Sequence, residues 1–211
     1  MMGKDICIIG YSGHSYVALE ILQICGKNLI AYCENTEKEN NPFNLKYLGR
    51  ESLLAPNELK LFSFFIGIGD NKVRGKVFEL LNNNSVSFEN AIHPNSNVSK
   101  KTDLGKGVMI AAGATINPFV TIGNAVICNT QCSIDHECVI GDYSHIAPGA
   151  ILCGNVTIGY NSFIGAGSTI KQGVRIGNNV LIGAGSVVLN DIPDNMRVAG
   201  CPAKQIKSKH E

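Results

Sequence analysis

The stretch TIGNAVICNTQCSIDHECVIGDYSHIAPGAILCGNVTIG, residues 121–159, puts an aliphatic residue or a cysteine at every sixth position: Ile122, Cys128, Ile134, Ile140, Ile146, Leu152 and Ile158. The same clock runs back through Ile116, Ile110, Leu104, Val98 and Ile92, and forward through Ile164, Ile170, Ile176, Ile182 and Val188. Four residues after each stands a mostly small side chain, such as Val126, Cys132, Cys138, Ser144, Ala150 and Val156. A period of six matches neither the 3.6 of a helix nor the two of a strand. It suits a short strand plus a corner, three such units closing an 18-residue triangular coil that stacks on its neighbours by parallel pairing. Gly105, Gly123, Gly141, Gly159 and Gly177 mark the coil, and the expected reason is a corner whose backbone conformation only glycine adopts cheaply. The large aliphatics then point inward, and Cys128, Cys132 and Cys138 with them, as core packing.

The rest of the chain sets bounds. Its 211 residues allow one large domain or two small ones. Eighteen basic against 17 acidic residues, net +1, give no electrostatic reason to expect nucleic acid or an anionic membrane as partner. The opening MMGKDICIIGYSG carries Asp5 in a short apolar run that ends in glycines, so it reads as a first strand and not a signal peptide. No run approaches the roughly 18 apolar residues of a membrane span. The eight cysteines lack the paired spacing of a zinc site and are expected as reduced thiols, which makes the cytoplasm the expected location.

Before the repeat, residues 1–90 read as an α/β unit of half-Rossmann type and 91–211 as the all-β parallel helix. Residues 5–10 form a strand, GYSGH a tight turn, and Tyr16 to Ile24 an amphipathic helix closed by Gly26. Backbone N–H groups at such a helix start form an anion site, to which Ser12, Gly13 and the side chain of His14 belong. Further strands are expected at 29–33, ending at Glu34 and Asn35, and at 61–69, ending in the Gly69, Asp70, Asn71 loop before a helix from Val73 to Leu81. Three strand ends thus bring loops to one edge of a small parallel sheet, where α/β folds hold ligands. Glu34 stands where a dinucleotide fold places its ribose-binding acid, but about ninety residues are too few for both mononucleotide halves. A single nucleotide diphosphate is expected instead of a nicotinamide cofactor.

His136 falls at a corner, facing outward, beside Asp135 and Glu137. A histidine of near-neutral pKa suits removal of a proton from an amine or hydroxyl attacking a thioester, and either acid could fix its tautomer. His145, nine residues on, is half a coil away and so on the opposite side of the prism. A zinc reading needs three histidines around one ion, and His93 and His210 lie outside the central coils. No metal is expected.

The hexapeptide clock resembles that of left-handed parallel β-helix acyltransferases, and the GxSGH unit joined to it, with NTQCSIDHECVIGDYSHIAPGAILCGNVTIG at 129–159, is similar to nucleotide-sugar acetyltransferases of the PglD and NeuD type. The resemblance implies the left hand of the helix, a homotrimer with active sites between subunits, and acetyl-CoA as donor. It implies His136 as base with Glu137 orienting it, and acetyl transfer to the 4-amino group of a UDP-linked amino sugar in bacterial glycan synthesis. It places Asn129 at the sugar, Ser12, Gly13 and His14 at the phosphates, and Glu34 with Asn35 at the nucleoside, where the family pair often contains aspartates. His145 of one subunit would meet the donor near His136 of the next. Gly154, Gly165, Ala166, Gly183 and Ala184 would offer the pantetheine arm a narrow wall, and Lys171, Arg175 and Lys204 would meet the CoA phosphates. The tail RVAGCPAK resembles the end of many such enzymes. Two alternatives stand beside this reading: an O-acetyltransferase of sialic acid type, and a non-catalytic nucleotide-sugar-binding protein.

Overall fold

A computed structural model describes residues 4–206; His210 lies outside them. Strand β1 (Ile6–Ile9) is fully buried and leads through Gly10–Ser12 into α1 (Gly13–Ile24). Then come β2 (Leu29–Cys33), β3 (Lys46–Tyr47), a four-residue helix α2 (Pro56–Leu59), β4 (Ser63–Ile66), α3 (Asn71–Asn83) and β5 (Ser87–Phe88). All five strands pair in parallel, in the order β3-β2-β1-β4-β5.

Four expectations change here. The strand expected over 61–69 holds pairing only at Ser63–Ile66, α1 starts at Gly13 and not Tyr16, and α3 runs two residues further at each end. The sheet has five strands and not three, because the two-residue strands β3 and β5 are too short to show a period.

From Ala91–Ile92 onward the chain winds as a triangular prism. Two-residue strands repeat every six residues, and each pairs in parallel with the strand eighteen residues on, as Ser133 does with Ile151 and Ile134 with Leu152. The first face stacks Ala91–Ile92, Met109–Ile110, Ile127–Cys128, His145–Ile146, Phe163–Ile164 and Leu181–Ile182, extended by Arg197–Ala199 and Lys204–Gln205. The second runs from Asn97–Val98 to Val187–Val188 and the third from Asp103–Leu104 to Arg175–Ile176. The clock residues fill the interior: Ile110, Ile116, Cys128, Ile134, Ile146, Leu152, Ile164 and Ile170 are at most 1% exposed. Each buried aliphatic contributes about 1.5–3 kcal/mol. Cys132 and Cys138 are buried in the same core.

The glycine ladder has a different cause from the one expected. Gly105, Gly123, Gly141, Gly159 and Gly177 do not have positive φ. A Cβ on Gly141 would lie 2.6 Å from Tyr160 N, and one on Gly159 2.6 Å from Gly177 C. Stacked coils touch there, backbone on backbone, and only hydrogen fits. The left-handed backbone sits two residues later and recurs at every sixth position from Gly107 to Gly185. Glycine or asparagine fills most of those places, but five in succession, Phe119, Ala125, Gln131, Glu137 and Tyr143, carry other side chains.

The α/β unit packs on the first face. Ala18, Leu19 and Leu22 of α1 share a core with the outward residues Ala91, Met109 and Ile127. On the other flank Phe78 of α3 meets Ala125 and Tyr143. Arg74, 1% exposed, fastens the two units. Its guanidinium donates to the carbonyls of Ile68 and Gly69 (both 3.0 Å) and to Asn71 Oδ1 (2.7 Å) within the α/β unit. Across the junction it donates to Ala125 O (2.7 Å) and Tyr143 O (2.6 Å).

Candidate active site

His136 stands on the corner between the second and third faces, directly after the strand Ser133–Ile134. Glu137 N donates to Pro118 O and Asn155 N to His136 O, so this corner is stitched to the coil on either side. The ring Nδ1 lies 3.0 Å from Glu137 Oε2. A carboxylate only accepts, so Nδ1 carries the hydrogen, and in the neutral ring Nε2 is the nitrogen with the lone pair. Asp135 is engaged elsewhere, accepting from Asn117 Nδ2 and the His136 N–H at 2.8 Å each. These two hydrogen bonds hold its carboxyl below the usual carboxylate range. Of the two acids flanking His136, geometry therefore gives Nδ1 to Glu137. The dyad is open to solvent, 55% and 63% exposed, above a cavity of about 500 Å³ lined by Asp135, Cys153, Gly154, Asn155, Gln172 and Gly173.

His145 occupies the first face, opposite that corner, and only 7% of it is exposed. Its Nε2 is 3.1 Å from Asn129 Nδ2, and its ring packs edge-on against Phe163. Across the junction stands His14, in the first turn of α1, with ring centroids 6.0 Å apart. His14 Nε2 and His145 Nδ1 are buried and close no hydrogen bond among the described residues. Burial, then the charges of Arg74 and His14, push the His145 imidazole down to about 3, with partial relief from the Gly69 backbone. Burial and Arg74 also lower His14. Both rings are neutral at pH 7.

The strand ends of the α/β unit line a second cavity of about 280 Å³, bounded by Gly10, Ser12, Glu34, Asn35, Glu51 and Gly69 among others. The Ser12 backbone N–H is taken by Ser15 Oγ at 2.8 Å. Glu34 accepts from Tyr11 N (3.2 Å) and Asn35 N (2.9 Å). Burial raises its carboxyl, but these N–H groups and Lys38 outweigh that and hold it below its ordinary value. Asp70 caps α3 by accepting from Val73 N at 2.9 Å, and Asn71 Nδ2 reaches Ser162 O at 3.1 Å on the prism. Gly69, Asp70 and Asn71 also border a neighbouring cavity of about 410 Å³ that runs along the first face past Phe163 to Arg197.

The expected donor wall is not one surface of a single chain. Gly154 and Lys171 lie at the corner of His136, and Arg175 on the third face beside it. Gly165, Ala166, Gly183 and Ala184 follow the strands Phe163–Ile164 and Leu181–Ile182, at the next corner round, in the columns of Asn129 and Thr130. Lys204 extends the first face. Gly165 is explained by the ladder alone, since its Cβ would meet Ile182 O at 2.5 Å. The sequence reading overlooked Arg74. Its signal was an arginine at i with Phe78 and Leu81 at i+4 and i+7, on the buried face of α3.

A parallel β-helix with a histidine–carboxylate pair on an outer corner, joined to a Rossmann-like sheet, defines a hexapeptide-repeat acyltransferase fold. Comparison with known proteins agrees. Residues 5–81 match the PglD N-terminal domain and 155–190 the hexapeptide repeat of succinyl-transferase. A GDP-perosamine N-acetyltransferase of Escherichia coli O157:H7 is 33% identical over 140 residues, 66% of this chain and 63% of that protein's length. PerB from Caulobacter crescentus, solved in complex with CoA and GDP-perosamine, is 35% identical with a TM-score of 0.89 over 98% of this chain and 99% of its own. The acetyltransferase domain of PglB from Neisseria gonorrhoeae, in complex with acetyl coenzyme A, is 31% identical with a TM-score of 0.89 over 96% and 99%. The chain belongs to the PglD-type nucleotide-sugar acetyltransferases, built on the left-handed parallel β-helix.

Proposed function

We propose that this protein transfers the acetyl group of acetyl-CoA to the 4-amino group of a nucleotide-linked sugar, with His136 as general base. The observation that carries the reading is the exposed His136–Glu137 pair, whose 3.0 Å contact leaves Nε2 as the free base. The amine nitrogen attacks the thioester carbonyl, and Nε2 takes the amine proton as the tetrahedral intermediate forms. Collapse breaks the carbon–sulfur bond, and the imidazolium returns the proton to the departing sulfur, giving amide and CoA thiol. Glu137 stabilises the imidazolium between the two steps. No acyl-enzyme is needed: Cys128, Cys132 and Cys138 are core residues, and Cys153, which lines the His136 cavity, has no hydrogen bond to a base among the described residues.

The sugar nucleotide would lie with its diphosphate at Ser12–His14 and its sugar towards Asn129. In one chain the neutral pair His14 and His145 and the base His136 are on opposite sides of the prism, so the complete site forms between subunits of a homotrimer. Phe119, Val139 and Ile151, each at least 44% exposed around the corner of His136, suit that association. The resemblance pointed to UDP as the nucleotide, whereas two of the relatives described above, the Escherichia coli enzyme and PerB, act on or hold GDP-perosamine. Both are carried into the test.

Release of CoA thiol from acetyl-CoA is measured with UDP-, GDP- and dTDP-linked 4-amino sugars and with sialic acid, on the wild type and His136→Ala. Turnover of a nucleotide amino sugar that falls about 10²- to 10⁴-fold in the variant is expected. Turnover only of a hydroxyl acceptor identifies an O-acetyltransferase. Nucleotide-sugar binding without turnover of any acceptor identifies a binding protein.

A further inference from the structure

We infer that Gly154 is a positioning residue for the acetyl transfer proposed above: it is the seat on which the His136 imidazole lies. It stands eighteen residues after His136, hence directly beneath it in the next coil. A Cβ built on Gly154 would lie 2.6 Å from Cε1, 2.7 Å from Nε2 and 3.3 Å from Nδ1 of His136. These are its three nearest heavy atoms, all in the ring. The ladder glycines differ, since at Gly141 and Gly159 the added carbon strikes backbone.

Conformation does not explain the glycine, because Gly154 lies outside the left-handed region. Nor is the residue free to move aside: it is buried and its carbonyl accepts from Gly173 N at 3.0 Å. The ring must therefore be what yields. Among the described residues its contact with Glu137 is its only side-chain tether, and a methyl group at Gly154 would lift Nε2 and turn Nδ1 away from the carboxylate. The missing side chain thus sets where the base points. An alternative role, a bare wall for the donor's pantetheine arm, involves the same atoms but not the ring.

Gly154→Ala, His136→Ala and the double variant separate the two roles. In Gly154→Ala, kcat should fall about 10²-fold, as for a displacement of order 1 Å, with KM for both substrates within about twofold. The Nδ1–H signal of His136 in ¹⁵N–¹H spectra should shift or vanish. Added to His136→Ala, the same substitution should change the residual rate by less than about twofold and leave Tm unmoved, since no ring remains to collide with. Unchanged kcat in Gly154→Ala, a rise in KM for acetyl-CoA with kcat intact, or an equal proportional loss in the His136→Ala background would overturn the seat. If the wild type transfers no acetyl group, the proposed function fails, while the His136 ring signals in wild type and Gly154→Ala still decide this inference.

Discussion

His14 and His145 face each other with ring centroids 6.0 Å apart, one imidazole from the α/β unit and one from the prism. Both have pKa values below the ordinary one, His145 at about 3. Such a group takes up a proton more readily in the unfolded chain. Its stabilising share is therefore whole above about pH 6.5 and is lost as the pH falls from there towards 3. For His145 the loss between pH 7 and pH 5 is about 2 kcal/mol. Urea unfolding at the two pH values should show that extra loss in the wild type and not in His145→Gln. Equal losses in the two proteins would remove His145 as the cause.

Arg74 is the other half of that arrangement. Burial lowers its guanidinium to about 9, and its hydrogen-bond acceptors at 3.0 Å or less are four backbone carbonyls and the Asn71 side chain. Arg74→Met leaves those carbonyls without a donor, at a cost of about 3–5 kcal/mol in all. Arg74→Lys, with three donors on one point, should recover part of it. By NMR titration the pKa values of His14 and His145 should rise in the methionine variant, which lacks the neighbouring positive charge, and stay low in the lysine variant. Unmoved titrations in both would mean that Arg74 acts as a fastener alone.

The prism was legible because its repeat is written in side chains: every sixth residue has to fill the same interior, so Ile92 to Val188 could be read before any coordinate. The reason for the glycines was not. Clash between coils and positive φ both select glycine, and nothing in the letters separates Gly141 from Gly173. The His136–Glu137 contact was half legible, since sequence left Asp135 as an equal candidate, and Asn117, eighteen residues earlier, is what engages it. Arg74 stayed hidden because a long cation on a helix reads as solvent-facing, and only the fold shows the carbonyls converging on it.

The two classes of glycine should respond differently to alanine. On Gly141 the new carbon lies 2.6 Å from Tyr160 N and 2.8 Å from Gly159 C, backbone that cannot withdraw without separating the coils. The expected loss is about 2–3 kcal/mol. Gly167, at φ +65° with nothing within 4 Å, meets only backbone strain of about 1 kcal/mol. Thermal melts should rank Gly141→Ala well below Gly167→Ala. The reverse order would restore conformation as the reason for the ladder.

Glu137 holds one of the left-handed positions, at φ +59°, where glycine or asparagine stands in most coils. A glutamate there costs stability that the fold does not require, and its side chain, 63% exposed, touches His136. Glu137→Gly should therefore raise stability by about 1 kcal/mol while removing the acceptor that fixes Nδ1–H. Turnover with acetyl-CoA and the sugar nucleotide should fall about 10- to 10²-fold, because the imidazole loses its tautomer preference and the imidazolium its counter-charge. Glu137→Gln, which keeps an acceptor but no charge and retains the strain, should fall between the two in rate and match the wild type in Tm. Tm and kcat measured on the three proteins decide the matter: a glycine variant that melts lower than the wild type would mean that Glu137 serves the fold, and one that melts higher but turns over at the wild-type rate would mean that it serves neither.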